Sequence, residues 1–166
     1  MATIRKELTL NASPAQVWDV IRDVGAIHRR LAPGFVTDTR LEEGARVVTF
    51  ANGVVARELI VSVEEDVQRL VWSVVGGRAT HHNSSFQVFP GAAGGTRLLW
   101  VTDVLPDTAA AALSAMIEEG SRVIKTTLGS RAGPFQLDLS RVPRRYSNAM
   151  SYRPLGIARL WWWRTS

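Results

Sequence analysis

Several features that define common protein classes are missing from this sequence of 166 residues. It has no cysteine, which excludes disulfide bridges, thiolate metal sites, iron–sulfur clusters and a cysteine nucleophile. No apolar run approaches the roughly 20 residues that a membrane-spanning helix needs, and residues 1–10 alternate polar and apolar side chains instead of forming the apolar centre of a signal peptide. We therefore expect a cytoplasmic protein, with one domain as the default for this length.

Enzyme motifs are missing as well. There is no nucleophile elbow, no phosphate-binding glycine loop followed by lysine, no dinucleotide fingerprint and no histidine pair at metal-ligand spacing on a helix. His81 and His82 are neighbours on a predicted strand, where adjacent side chains point to opposite faces, so the two imidazoles cannot readily share one ion. We expect neither a metal site nor a cofactor.

The positive charge is confined to one end of the chain. Residues 1–129 carry 13 Lys and Arg against 14 Asp and Glu, whereas residues 130–166 carry 7 Arg against the single acid Asp138. This tail also contains Trp161, Trp162 and Trp163, and its prolines and arginines show no periodicity. We predict a near-neutral domain followed by a basic, mostly irregular tail, a charge distribution that makes nucleic-acid binding unlikely.

The order of predicted elements indicates an α+β fold. Residues 3–10 alternate as a strand, Ser13-Pro14-Ala15-Gln16 has the form of a capping box that starts a short helix, and a second short helix covers residues 26–31. The long amphipathic helix is predicted over residues 108–128, after Asp107 as its N-cap. Between these helices we predict six strands, near residues 35–42, 45–51, 54–64, 68–75, 79–89 and 96–105.

Two short helices cannot cover the concave face of a seven-stranded antiparallel sheet. The long helix is therefore expected to lie across that face, leaving either a core or a cavity between them. Segments spread along residues 2–129 resemble the START-like superfamily of polyketide cyclase/dehydrase-like and birch-pollen allergen proteins, also called SRPBCC or helix-grip proteins. They are residues 13–21 (SPAQVWDVI), 32–34 (APG), 69–74 (RLVWSV), 95–100 (GTRLLW) and 104–107 (VLPD).

The resemblance implies a START-like ligand-binding domain over residues 1–129 with the helix-grip fold, in which the seven-stranded antiparallel sheet curves around the long C-terminal helix. Members of this superfamily include ligand carriers, hormone and lipid binders, and a minority of cyclases and dehydratases. The fold therefore does not decide the function.

The alternation of side chains along the strands and the apolar stripe of the long helix give the candidate ligand-binding residues. Trp72 and Trp100 are predicted to form an apolar wall, and Met116, Ile117 and Gly120 to form the helical side. Core packing explains these residues as well as a pocket does. A glycine on the buried stripe of a helix costs about 1 kcal/mol relative to alanine, so Gly120 indicates close approach by the sheet, a ligand or a partner.

Four polar residues complete the candidate site. Arg57 is in phase with Val55, Leu59 and Val61 and is predicted to point inward as an anchor for an anion, unless a register break or the cavity mouth lets it reach water. Ser84, Thr102 and His82 are predicted on the concave face. His82 is the one candidate for moving a proton, although a polar residue at the sheet rim without a chemical role is the simpler interpretation.

Three hypotheses for the function follow. The first is binding of a small hydrophobic or aromatic molecule between the sheet and the long helix, by a monomer or a homodimer. The second is a polyketide cyclase or dehydratase that uses the same pocket. The third is an interaction module whose Arg/Trp tail docks on a membrane surface or on nucleic acid.

Overall fold

The computed structural model describes residues 1–129, and these residues adopt the predicted α+β helix-grip fold. The strands are β1 (Ala2–Leu10), β2 (Val36–Glu42), β3 (Ala45–Phe50), β4 (Val55–Glu64), β5 (Arg69–Val75), β6 (His81–Pro90) and β7 (Thr96–Leu105). The helices are α1 (Pro14–Ile21), α2 (Ile27–Arg30) and α3 (Ala110–Gly129). Predicted element ends agree within about two residues, and the tail prediction falls outside the described residues.

All seven strands form one antiparallel sheet in the order β1-β7-β6-β5-β4-β3-β2. The first strand pairs with the last, so β1 and β2 form the two edges of the sheet. Helix α3 packs mainly against β1, and Lys6 on β1 forms an ion pair with Glu118 on the helix. This arrangement leaves the concave face of the central strands facing α3.

The capping box predicted for the first short helix is present. The backbone N–H of Gln16 donates to Ser13 Oγ, and the side chain of Gln16 accepts from the Ser13 N–H at 3.0 Å, so both ends of the motif satisfy an otherwise unpaired helix donor. Val17, Trp18 and Ile21 on this helix are buried in the core. The capping box fixes the start of the helix, and the buried apolar residues hold the helix against one end of the sheet.

The hairpin loop at Asn52-Gly53 determines which residues of β3 and β4 lie opposite each other. Phe50 N–H donates to the Val54 carbonyl at 2.9 Å, and Gly53 has φ of +83°, a conformation that glycine adopts without the steric cost of a side chain. The three residues 51–53 therefore form the loop, and Arg46 lies directly opposite Glu58. A loop of two residues would shift this pairing by one position.

The main apolar core lies at the end of the sheet that α1 covers. It contains Leu8, Leu98 and Leu70 from the sheet, Ile21 from α1, and Leu128 from α3. The other half of the concave face, under the first half of α3, is not filled in this way. No helix within residues 1–129 is long and apolar enough to cross a membrane.

Candidate functional site

A cavity of about 500 Å³ lies between the sheet and the first half of α3. Its wall is mostly apolar and is formed by β3 to β7, the segment before β2 and the helix. The lining residues are Phe35, Phe50, Val54, Ala56, Glu58, Trp72, Val74, Arg78, Ala79, His82, Ser84, Trp100, Thr102, Val104, Pro106, Thr108, Ala109, Ala112, Leu113, Met116 and Ile117. A volume of this size is typical of small-molecule sites in proteins.

Most exposed lining residues lie at one end of the cavity, which we call the mouth: Val54, Arg78, Pro106 and Thr108; Ala112 on α3 is also exposed. They belong to the β3–β4 hairpin, the β5–β6 loop and the β7–α3 connection. The Thr80 N–H donates to the Leu105 carbonyl at 2.9 Å and thereby ties the last two segments together. The cavity runs from this mouth toward the aromatic rings of the central strands.

Aromatic rings form the inner wall, as predicted for Trp72 and Trp100. The two ring centroids lie 6.4 Å apart, and Phe86 packs between them at 5.0 Å from Trp72 and 4.8 Å from Trp100. The Trp100 Nε1 is buried and has no hydrogen-bond partner within the described residues. A buried N–H without an acceptor is costly, and because this atom has almost no accessible surface, a ligand oxygen could not contact it in this structure.

A chain of hydrogen bonds crosses the wall on β6 and β7. The hydroxyls of Ser84 and Thr102, 2% and 1% exposed, are 2.8 Å apart on paired strands, and the Ser84 Oγ lies 3.3 Å from the Nε2 of His82. We call these three residues the polar row. Because the three groups share two hydrogen bonds, they have capacity left to donate to, or accept from, an oxygen of a ligand.

His82 faces the cavity and His81 faces solvent, as the strand geometry predicts. Burial lowers the pKa of His82 below its usual value near 6.5, and the nearby charge of His81 lowers it further. His82 is therefore neutral at neutral pH and can act as either donor or acceptor through Nε2, depending on its tautomer. Across residues 1–129, no group of three or more His, Asp or Glu side chains is placed to hold a metal ion.

The predicted inward orientation of Arg57 is wrong. Its side chain is 46% exposed on the outer face of β4, where Nε donates to Glu42 at 2.9 Å. The alternation of Val55 and Val61 that suggested an inward face belongs to residues that are exposed in the structure. A bulge between Ile60 and Ser62 then shifts the phase of the strand, so apolar alternation alone could not identify the inner face.

Glu58 is the charged residue that β4 directs inward, and the sequence analysis missed it as part of the wall. Its carboxylate accepts from Arg46 Nε at 2.7 Å, and the two side chains are 7% and 4% exposed. Arg46 also donates to the Val24 carbonyl at 3.2 Å and lies 5.6 Å from the Trp72 ring centroid. A two-residue turn at Asn52-Gly53, which this dipeptide favours, would place Arg46 opposite Leu59, so the pair follows only from the three-residue loop that the structure shows.

Met116 and Ile117 line the helical side of the main cavity as predicted, but Gly120 does not. Gly120 lines a separate space of about 60 Å³. A Cβ at this position would lie 3.0 Å from Cε1 of Phe35. The close approach predicted for this glycine therefore comes from the Phe35 ring, which separates Gly120 from the main cavity and lines both spaces.

The comparisons with known proteins agree with this geometry. The polyketide cyclase / dehydrase and lipid transport family matches residues 1–129. Among curated protein sequences, none matches this chain.

Three solved structures illustrate the fold. The protein XoxI from Bacillus cereus is 18% identical and has a TM-score of 0.69, over 77% of this chain and 96% of its own. A START superfamily protein from Mycobacterium smegmatis is 14% identical with a TM-score of 0.59, over 78% and 95%. Norcoclaurine synthase from Thalictrum flavum is 19% identical with a TM-score of 0.55, over 74% and 92%. At these identities the likeness concerns the fold alone.

Proposed function

Because the chain belongs to the polyketide cyclase / dehydrase and lipid transport family, we propose that its main cavity binds one small hydrophobic or aromatic molecule. The observation that carries this proposal is the cavity of about 500 Å³, whose wall is apolar apart from a few polar groups. Burial of apolar surface stabilises a bound ligand by about 25 cal/mol per Å². The polar groups then fix its orientation.

We assign the polar row the task of orienting the ligand. An oxygen of the ligand is held by Thr102 or Ser84, and the apolar part lies against Trp72, Trp100 and Met116. Arg57 has no part in this arrangement, because it lies on the outer face of the sheet. Gly120 contributes indirectly by leaving room for the ring of Phe35.

The proposal is tested with N-phenylnaphthylamine, a neutral dye that fluoresces in apolar surroundings. We expect saturable binding of one dye per chain, with displacement by a hydrophobic competitor such as dodecanol. Ala112 and Ala115 are both exposed on α3, but only Ala112 lines the cavity. Ala112→Trp should therefore reduce dye affinity at least about tenfold, a change of 1.4 kcal/mol, and Ala115→Trp should not. Absence of saturable binding would refute the proposal.

A catalytic role of the cyclase or dehydratase kind is the second candidate. It is favoured by one observation, the contact of the His82 imidazole with the Ser84 hydroxyl inside the cavity, where burial lowers the pKa of His82. A neutral imidazole can take a proton from a bound substrate and return it. Conversion of a polyketide-like substrate that is lost in His82→Gln while the substrate still binds would support this candidate over simple binding.

The basic tail is the basis of a third candidate, a membrane-surface interaction module. Truncation after Ala132 removes 6 Arg and 1 Asp and brings the net charge from +5 to 0. We expect the truncated protein, as a cytoplasmic monomer or homodimer, to fold cooperatively and to keep its dye binding. Loss of binding to anionic vesicles at low salt on truncation would support the tail as an interfacial anchor.

A further inference from the structure

The mouth of the cavity carries a cation that the sequence analysis did not single out. Arg78 is exposed on the β5–β6 loop and lines the cavity. Within residues 1–129, it has no ion pair or hydrogen bond, whereas Arg57, Arg69 and Arg97 on the outer face are each paired with a glutamate. An arginine held at the opening of an apolar cavity has its donors available for a ligand.

The loop that presents Arg78 is shaped by glycines. Gly76 and Gly77 have φ of +80° and +78°, so two consecutive residues adopt the left-handed conformation that other residues rarely take. Beyond Arg78, Thr80 is bound through its backbone N–H to the Leu105 carbonyl. The turn and this tether together place Arg78 beside Pro106 at the mouth.

The interior of the cavity is unsuited to an anion. Its one carboxylate, Glu58, lies in the wall, and the cation that neutralises it, Arg46, is already engaged by Glu58 and by the Val24 carbonyl. The other interior polar groups are the neutral polar row. Burying an unpaired negative charge there would cost several kcal/mol, whereas an anion at the mouth keeps part of its water and meets Arg78.

We infer that Arg78 binds the charged head of the ligand, so that the ligand class is an amphipathic oxyanion such as a carboxylate with an apolar or aromatic body. The inference rests on the proposed function and narrows it. The apolar body enters the cavity toward Trp72 and Trp100, and the head remains at the mouth. Guanidinium is well matched to this head because it can form two parallel hydrogen bonds to a carboxylate or sulfonate.

Two dyes that differ by a single sulfonate test the inference. Anilinonaphthalene sulfonate is N-phenylnaphthylamine with one added anionic group, so the difference in their affinities measures the contribution of the charge. In the full-length protein we expect Arg78→Met to weaken the sulfonate dye about tenfold, equivalent to 1.4 kcal/mol, and to change the neutral dye less than twofold. Arg78→Lys should retain part of the effect, because lysine keeps the charge but loses the bidentate geometry.

Arg57→Met is the matched control, since it also removes one positive charge but on the outer face of the sheet. It should leave the affinities of both dyes unchanged. Competition with dodecanoate and dodecanol extends the test to a carboxylate: wild type should prefer dodecanoate, and Arg78→Met should lose that preference.

Equal effects of Arg78→Met on both dyes would overturn the inference, and so would an equal loss of the sulfonate dye in Arg57→Met, which would indicate general attraction by the net charge. If the neutral dye binds saturably but Arg78→Met leaves the sulfonate dye unaffected, the assignment of Arg78 fails while the proposed function stands. If neither dye binds in the cavity, both fail.

Discussion

Removal of one partner from the buried Arg46–Glu58 pair should destabilise the protein far more than removal of one partner from an exposed pair. In Arg46→Met, the Glu58 carboxylate, 7% exposed in the native protein, loses the guanidinium 2.7 Å away. Two charge centres about 4 Å apart interact by about 4 kcal/mol at an effective dielectric constant of 20. Loss of a single partner from buried pairs costs about 3–5 kcal/mol.

Two structural details refine this magnitude. Arg46→Met also deprives the Val24 carbonyl of a donor at 3.2 Å, which adds about 1 kcal/mol. Glu58 lines the cavity, however, and water in the cavity can solvate part of its charge. We therefore expect a loss of about 3–4 kcal/mol in the free energy of unfolding, measured by urea denaturation with unchanged dependence on denaturant concentration.

The Arg57–Glu42 pair provides the matched control. It is also an arginine Nε donating to a glutamate, at 2.9 Å, but the Arg57 side chain is 46% exposed. Arg57→Met should cost less than about 1 kcal/mol, because solvent screens the pair and hydrates the remaining carboxylate.

The double variant Arg46→Met/Glu58→Leu completes the experiment. It leaves no unpaired charge, so its loss of stability should be smaller than that of Arg46→Met alone. The reasoning would be refuted if Arg46→Met cost no more stability than Arg57→Met. It would also be refuted if the double variant lost as much stability as Arg46→Met and Glu58→Leu lose together when measured separately.

Three further predictions concern the cavity. Because the pKa of His82 is lowered in the folded protein, the unfolded chain takes up the proton first as pH falls below about 6.5. Stability measured against pH should therefore decrease from that point, and His82→Gln should flatten the decrease; an unchanged pH profile would contradict the assignment. Thr102→Val removes one hydroxyl of the polar row and should weaken naphthol several-fold while leaving methylnaphthalene unchanged, as measured by dye displacement; equal losses would indicate altered packing. Gly120→Leu should destabilise the protein by about 1–3 kcal/mol and weaken dye binding, because the leucine drives Phe35 into the main cavity. Gly120→Ala is the control, a smaller change that Phe35 can accommodate. Unchanged dye binding in a folded Gly120→Leu protein would show that Phe35 is not part of the site.

Local signals in the sequence determined the elements of this fold. The capping box at Ser13 and Gln16 and the apolar stripe of α3 each act within a few residues, so their outcome does not depend on distant parts of the chain. Together with the order of the elements, they were sufficient to predict the seven-stranded antiparallel sheet and its long helix.

The alternation of side chains along the strands was sufficient to predict part of the cavity wall. The predicted residues on β5 to β7 are Trp72, His82, Ser84, Trp100 and Thr102. No bulge interrupts the pairing of these strands, so inward and outward positions alternate regularly along each of them. The large aromatic side chains of Trp72, Phe86 and Trp100 mark the inner face of these strands, although the outer face of β7 also carries Leu99 and Val101.

Tertiary structure alone decided the orientation of β4 and the position of Arg78. Both faces of β4 carry apolar residues, and one loop residue more or fewer exchanges the inner face with the outer face. Which of Arg57 and Glu58 points into the cavity therefore depended on the burial of Glu58 against Arg46 across the hairpin. Arg78 follows Gly76 and Gly77, whose left-handed backbone conformations end the regular strand. Strand periodicity therefore cannot predict where Arg78 lies. Its position at the mouth comes from the contact of its loop with the end of β7, which brings together residues that lie more than 20 positions apart in the sequence.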